Sequence, residues 1–94
     1  MVDENIENTV FIGKKDTKSY VLAVITQINQ GATKIYIKAR GKSISKAVDV
    51  AEMVRNRFTK DLDIKGISSS TEEVKNEDGS TLRVSAIEII LDQK

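Results

Sequence analysis

From Lys34 to Arg40 the chain alternates without a break. Ile35, Ile37 and Ala39 share one parity, and Lys34, Tyr36, Lys38 and Arg40 share the other. Successive side chains of a strand point to opposite faces, so this run reads as a strand with one apolar and one cationic face. The stretch before it has a different period. At about 100° per residue, Tyr20, Val21, Val24, Ile25 and Ile28 fall on one arc, with Ser19, Thr26 and Gln27 opposite. That pattern predicts a helix over residues 18–29, capped at its start by Asp16 or Thr17 and at its end by Gly31. Ahead of it, Thr9-Val-Phe-Ile12 is a short apolar strand closed by Gly13. Strand, helix and strand of these lengths form a βαβ unit, whose crossover is right-handed and whose strands are parallel.

After Gly41-Lys42-Ser43, with Ser43 as a candidate N-cap, Ile44, Ala47, Val48, Ala51, Val54 and Phe58 form the stripe of a second helix. Met53 is expected on its far side and Arg55 inside the stripe. A helix that is apolar on more than one face points to a subunit contact. The helix ends at Asp61-Leu-Asp63. Residues 63–74 and 81–91 then read as two strands around Asn76-Glu77-Asp78-Gly79, because Asp-Gly is a strong hairpin signal. At about 3.3 Å per residue each strand would span roughly 35–40 Å. Ser68-Ser-Ser-Thr-Glu-Glu73 is almost without apolar content, so the tip should project into solvent. Leu82 and Val84 have one parity and Ile87, Ile89 and Leu91 the other. A bulge or a change of face near Ala86 would reconcile them. The expected fold is α/β: β-α-β-α-β-β, a four-stranded mixed sheet with two helices on one face and an extended hairpin. Residues 1–8 are expected to fray, leaving residues 9–94 as a single domain.

The 94 residues include no Cys, His or Pro. Disulfides, thiolate metal sites and Ser-His nucleophile pairs are thereby excluded, and a catalytic role is not expected. Gly41-Lys42-Ser43 resembles the end of a phosphate loop, but Tyr36 stands where the leading glycine is required. Gly13-Lys14 fails likewise, with Asn8 at that place. Asp61/Asp63, Glu72/Glu73 and Glu77/Asp78 read as surface acids rather than metal or acid–base pairs, because nothing apolar surrounds them. No metal or cofactor is expected. No apolar run approaches the roughly 18 residues of a membrane span, and the start of the chain is acidic, so we expect a soluble cytoplasmic protein.

Charge is divided along the chain. From Lys14 to Lys60 eleven bases face three acids, a balance of +8; the other residues hold four bases and eleven acids, a balance of −7. The net charge of +1 is a cancellation between segments. Alternating lysines also suit the wet face of a sheet or the protection of an edge. Convergence favours a binding surface. Lys14 and Lys15 follow the first strand, Lys38, Arg40 and Lys42 end the second, and parallel neighbours place these ends side by side. The start of the second helix would add backbone N–H groups that favour phosphate. Such a surface reads backbone before base.

Ile37-Lys-Ala-Arg-Gly-Lys-Ser-Ile-Ser-Lys-Ala-Val-Asp49 and Val54-Arg-Asn-Arg-Phe58 resemble the Alba family of small archaeal chromatin proteins. So do Gly13-Lys14-Lys15, Asn29-Gln30-Gly31 and Arg83-Val-Ser-Ala-Ile-Glu88. The resemblance spans residues 8–92. It implies the fold of the C-terminal domain of bacterial translation initiation factor three. It also implies a homodimer built through the second helix and last strands, with hairpin arms reaching toward DNA minor grooves. Lys14 and Lys15 would be the principal DNA contacts, one of them a site of reversible acetylation. Lys38, Arg40 and Lys42 would add contacts, and Arg83 would sit on the arm. Asn56, Arg57 and Phe58 would mediate contact between dimers. Double-stranded DNA is the expected partner, with RNA also bound by family members, and the expected location is the chromosome.

This chain departs from its resemblance in its near-neutral charge, in Asp16 where a proline is common, and in an acidic hairpin. Glu72, Glu73, Glu77 and Asp78 face only Lys75 and Arg83 there. Glu72 is expected to occupy Arg83 across the strands, which leaves the central cations to carry most of the binding. An RNA-binding protein, or a subunit of a ribonucleoprotein or protein scaffold, is the alternative.

Overall fold

The parity of Lys34–Arg40 becomes the two faces of a sheet. In the computed structural model, which describes residues 8–94, Ile35, Ile37 and Ala39 are buried while Lys34 and Arg40 are exposed. The elements are β1 (Thr9–Phe11), α1 (Thr17–Asn29), β2 (Lys34–Arg40), α2 (Ile44–Met53), β3 (Leu62–Lys75) and β4 (Thr81–Gln93). The strands form one sheet in the order β1-β2-β4-β3. β1 and β2 are parallel, as the βαβ reading requires, and the other pairings are antiparallel. The core joins Val21 and Val24 of α1 and Ala47, Val50, Ala51 and Val54 to Ile35, Ile37, Ile89 and Leu91 of the sheet. Both helices therefore cover one face, and the cationic parity of β2 lies on the other. The part of the frayed segment before Asn8 lies outside the described residues. Asn8 itself is tied in, its carbonyl accepting from the Tyr36 amide at 2.7 Å.

Of the two candidate caps for α1, Asp16 serves. Its Oδ1 accepts from the Ser19 amide at 3.0 Å and the Ser19 hydroxyl at 2.6 Å. These bonds hold the Asp16 carboxyl below its ordinary value. Gly31 ends the helix at φ +102°, a conformation that disfavours any Cβ.

Ser43 does not cap α2. Its φ of −85° and ψ of −3° are already helical, and its side chain makes no capping bond. The chain leaves β2 in extended geometry at Arg40 and bends at Gly41, φ +55°, into a 3₁₀ turn over Gly41–Ser43. Helical geometry thus begins before Ser43, which lacks the extended backbone a cap requires.

The far end of α2 also departs from expectation. Val54–Phe58 forms one π-helical turn, closed by the Thr59 amide on the Val54 carbonyl at 3.1 Å. The wider turn rotates Phe58 off the buried seam, where it is 54% exposed. Met53 packs against the core rather than projecting from the far side. Arg55 is half-buried between Glu52 and Asp63, and its Nη1 lies 3.3 Å from Asp63 Oδ1.

The hairpin is longer than expected. From Gly66 its ladder runs unbroken to Lys75 opposite Thr81, and the molecule is 45 Å in its longest dimension. The turn closes through the Asn76 amide on the Ser80 carbonyl at 2.8 Å. Of the two alternatives for Ala86, the bulge is absent: the register shift lies in β3, between Ile64 and Gly66. The buried parity of β4 does change near Ala86, from Val84 and Ala86 on one face to Ile89 and Leu91 on the other, because its two halves have different neighbours. Ile89 and Leu91 lie between β2 and β3 under the helices, whereas Leu82 and Val84 pair with β3 alone, out on the arm.

Candidate nucleic-acid interface

The loop after β1 is fastened from inside. Tyr20 of α1 belongs to that helix's apolar arc, and its hydroxyl accepts from the Gly13 amide at 2.9 Å and the Lys15 amide at 3.1 Å. Lys46 of α2 donates through Nζ to the carbonyls of Gly13 at 3.1 Å and Lys15 at 2.6 Å. Its ammonium also stands 6.0 Å from the Tyr20 ring centroid. The backbone of Gly13–Lys15 is therefore held by both helices. The side chains of Lys14 and Lys15 are left exposed, and neither pairs with a carboxylate among the described residues.

The cations of β2 are arranged differently. The β2–β4 register sets Lys34 opposite Asp92 and Lys38 opposite Glu88. Both form ion pairs, at 3.9 and 3.4 Å. Arg40 reaches diagonally over β4 to β3, where its Nε lies 3.0 Å from Glu72 Oε1. Glu72 thus holds Arg40, not Arg83 as expected. The ladder partner of Arg83 is Glu73, with no ion pair to Arg83 among the described residues. Each of the three β2 pairs is substantially exposed, which limits its worth to about 0–1 kcal/mol.

An open groove of about 600 Å³ lies where these parts meet. Lys14, Lys38 and Arg40 line it, together with Phe11, Glu72 and Glu88. Lys42 is exposed on the adjoining 3₁₀ turn. Lys15 projects from the fastened loop, and Arg83 stands on the hairpin. The first amide of α2, at Ile44, is spent on the Gly41 carbonyl, so the helix start offers fewer free donors than expected. Asn56, Arg57 and Phe58 are exposed on the π-helical turn and do not line the groove.

Sequence reasoning left Lys46 in the basic stretch without a role and missed that it fastens the loop. It also missed that acids of β3 and β4 face the cations of β2. The first needs the packing of α2 on the loop. The second needs the register of the sheet, and only the alternation of Glu88 with Ile87 and Ile89 hinted at it. Among the described residues no cluster of His, Cys, Asp or Glu is placed to hold a metal ion, and no helix is long and apolar enough to cross a membrane.

The geometry has close parallels among known proteins. The Alba family model matches residues 8–71. DNA/RNA-binding protein Alba 1 of Archaeoglobus fulgidus is 60% identical over 88 residues, covering 94% of this chain and 98% of that protein. DNA/RNA-binding protein Alba of Methanocella arvoryzae is 52% identical, covering 90% of this chain and 88% of that protein. The solved structure of Alba from Thermoplasma volcanium superposes with a TM-score of 0.85 at 53% identity, covering 92% of this chain and all of that one. With the family model matching well over half of its length and relatives this similar aligned nearly end to end, the chain belongs to the Alba family.

Proposed function

We propose that this protein is a non-catalytic nucleic-acid-binding protein that coats DNA as a chromatin component and contacts mainly phosphates. One observation carries the reading. The Gly13–Lys15 backbone is pinned by Tyr20 and Lys46, so that Lys14, at the groove, and Lys15 present two ammonium groups with no carboxylate partner among the described residues. The names of the relatives, DNA/RNA-binding protein Alba, support the ligand class. Lys14, Lys15 and Lys42 make the readiest phosphate contacts. Lys38 and Arg40 join after exchanging Glu88 and Glu72 for phosphate, and Arg83 reaches from the arm. The binding unit comprises residues 9–94, acts on the chromosome in the cytoplasm, and works as a homodimer. Exposed Phe58, Ile67 and Leu82, on the end of the second helix and on the last strands, fit burial against a second copy. Asn56, Arg57 and Phe58 also provide the contact between dimers along DNA.

Lys14, Lys15 and Lys42, each without an ion pair among the described residues, give a slope of log K against log salt of about −3 per protomer, and Lys38 and Arg40, which exchange one anion for another, add little to it. Acetylation of Lys14 or Lys15 weakens binding by about 1 kcal/mol or less each. A gel-shift titration of the Lys14→Ala/Lys15→Ala protein on duplex DNA tests the assignment: unchanged affinity at low salt refutes it. RNA is the second reading, favoured by the double designation of the relatives, and the same titration on duplex RNA ranks the two ligands.

A further inference from the structure

Phe11 is 58% exposed, although its strand neighbours Val10 and Ile12 are buried. Its ladder partner is Lys38, so its ring stands on the face of the sheet away from the helices, at the border of the groove. The charges inside that groove admit a phosphate only after an ion pair is broken. Lys38 and Arg40 already hold Glu88 and Glu72, and an entering phosphate meets both carboxylates. A nucleobase is neutral. Its exocyclic amino groups donate to carboxylates and to hydroxyls such as those of Ser68 and Ser70, which also line the groove. Its flat face stacks on an aromatic ring, a contact that every base can make. Lys14, exposed at the same border with no carboxylate partner among the described residues, suits the phosphate next to that base. The groove volume of about 600 Å³ lies within the range of small-molecule sites. A paired base has both faces covered by its neighbours in the stack, so only an unpaired base can use the ring.

We infer that the Phe11 groove is a subsite for an unpaired nucleobase of a single-stranded nucleic acid, with Phe11 as the stacking platform, Glu88 and Glu72 as acceptors for base amino groups, and Lys14 on the adjoining phosphate. The subsite rests on the nucleic-acid reading above and deepens it. It gives the protein a base contact on single strands that phosphate contacts do not provide.

The test compares Phe11→Ala with the unaltered protein on a short adenylate oligonucleotide, as RNA and as DNA, and on a duplex of the same length, by fluorescence anisotropy at one salt concentration. Single-strand affinity should fall about fivefold or more, the scale of one lost base–aromatic stack, while duplex affinity holds. Phe11→Leu keeps apolar bulk at the strand edge and should show the same loss. Phe11→Trp should retain binding. A strand carrying abasic sites keeps its phosphates; it should bind the unaltered protein more weakly and Phe11→Ala no more weakly than the intact strand does. Loss on RNA alone, or on RNA and DNA alike, supports the subsite and names its source. Equal losses on single strand and duplex, no loss on either, or indifference of the unaltered protein to abasic sites would overturn it. The Lys14→Ala/Lys15→Ala protein separates the two claims. If it binds every ligand normally, the basic-loop reading fails; if it loses all of them while Phe11→Ala loses none, only the stacking subsite fails.

Discussion

Replacing Glu72 by Gln should make the protein a better DNA binder at little cost in stability. The substitution keeps the size of the side chain and removes its charge. In the free protein Arg40 Nε lies 3.0 Å from Glu72 Oε1, with the two side chains 60% and 46% exposed. An exposed pair of this kind is worth about 0.2–1 kcal/mol, so thermal stability should fall by no more than that. Binding has more to gain. A phosphate that takes Arg40 must first break the pair, and it then lies near an uncompensated carboxylate. Two like charges about 5 Å apart in water repel by about 0.8 kcal/mol. The two contributions sum to about 1–2 kcal/mol, a gain of about 5- to 30-fold in affinity at low salt. Salt dependence should change as well. In the unaltered protein the Arg40 exchange swaps one anion for another. In the variant it neutralises one more phosphate outright, which steepens the slope of log K against log salt by about 0.9. Anisotropy titrations on a duplex between about 50 and 200 mM salt measure both quantities. Glu77→Gln, which removes a carboxylate from the hairpin turn where no ion pair is formed among the described residues, controls for net charge. Equal gains in the two variants, or an unchanged slope in Glu72→Gln, would refute the claim that Glu72 competes with phosphate for Arg40.

Tyr20→Phe removes the acceptor shared by the Gly13 and Lys15 amides. It should cost about 1–3 kcal/mol in urea unfolding and should weaken duplex binding, because Lys14 and Lys15 lose their fixed support. Gly41→Ala meets no steric neighbour but forces a Cβ onto a φ of +55°. It should cost about 1–2 kcal/mol by thermal melting and should move Lys42, with a fall in affinity at low salt. The carboxyl of Asp16 lies below the ordinary value of 3.8 because Ser19 donates to it twice. A depressed carboxylate contributes stability that is full above its unfolded pKa and is lost as pH falls through the folded one. Asp16→Asn keeps a capping acceptor but does not titrate. Below about pH 4 the unaltered protein should therefore lose stability relative to the variant in circular-dichroism melts, and parallel curves would refute the assignment.

The elements legible in advance were those with a local cause. The strand at Lys34–Arg40 followed from parity, α1 from its apolar arc, and the hairpin turn from Asp78-Gly79. What was missed had a non-local cause or depended on one extra residue. The π-helical turn at Val54–Phe58 inserts a residue into a 3.6-residue period, so a stripe extrapolated from Ile44 misplaces Phe58. The bulge between Ile64 and Gly66 shifts β3, not β4, because the β2–β4 register locks β4 along its buried half. Ser43 carried the chemistry of a cap but not its backbone, since Gly41 had already turned the chain. At the candidate site, the convergence of the two basic loops was readable from parallel strand order. The pairing of Arg40 with Glu72 was not, because those residues are 32 positions apart and meet only across a third strand.

That distance in sequence bears on how charge should be read in small sheet proteins. Counting lysines by segment identified a cationic stretch and an acidic one, and treated them as separate surfaces. In the fold, β4 runs between β2 and β3, so the acidic segment lies against the basic one. Among the described residues the cations of the strand are paired with acids, and Lys14, Lys15 and Lys42 of the loop and turn are not. The proposed binding surface is therefore the part of the basic stretch that leaves the sheet: Lys14 and Lys15 on a loop fastened by Lys46, and Lys42 on a turn opened by Gly41. If segment totals rather than sheet register governed binding, Lys38→Ala and Lys14→Ala would weaken it equally. Register makes Lys14→Ala the costlier change, since Lys38 must give up Glu88 before it can gain a phosphate.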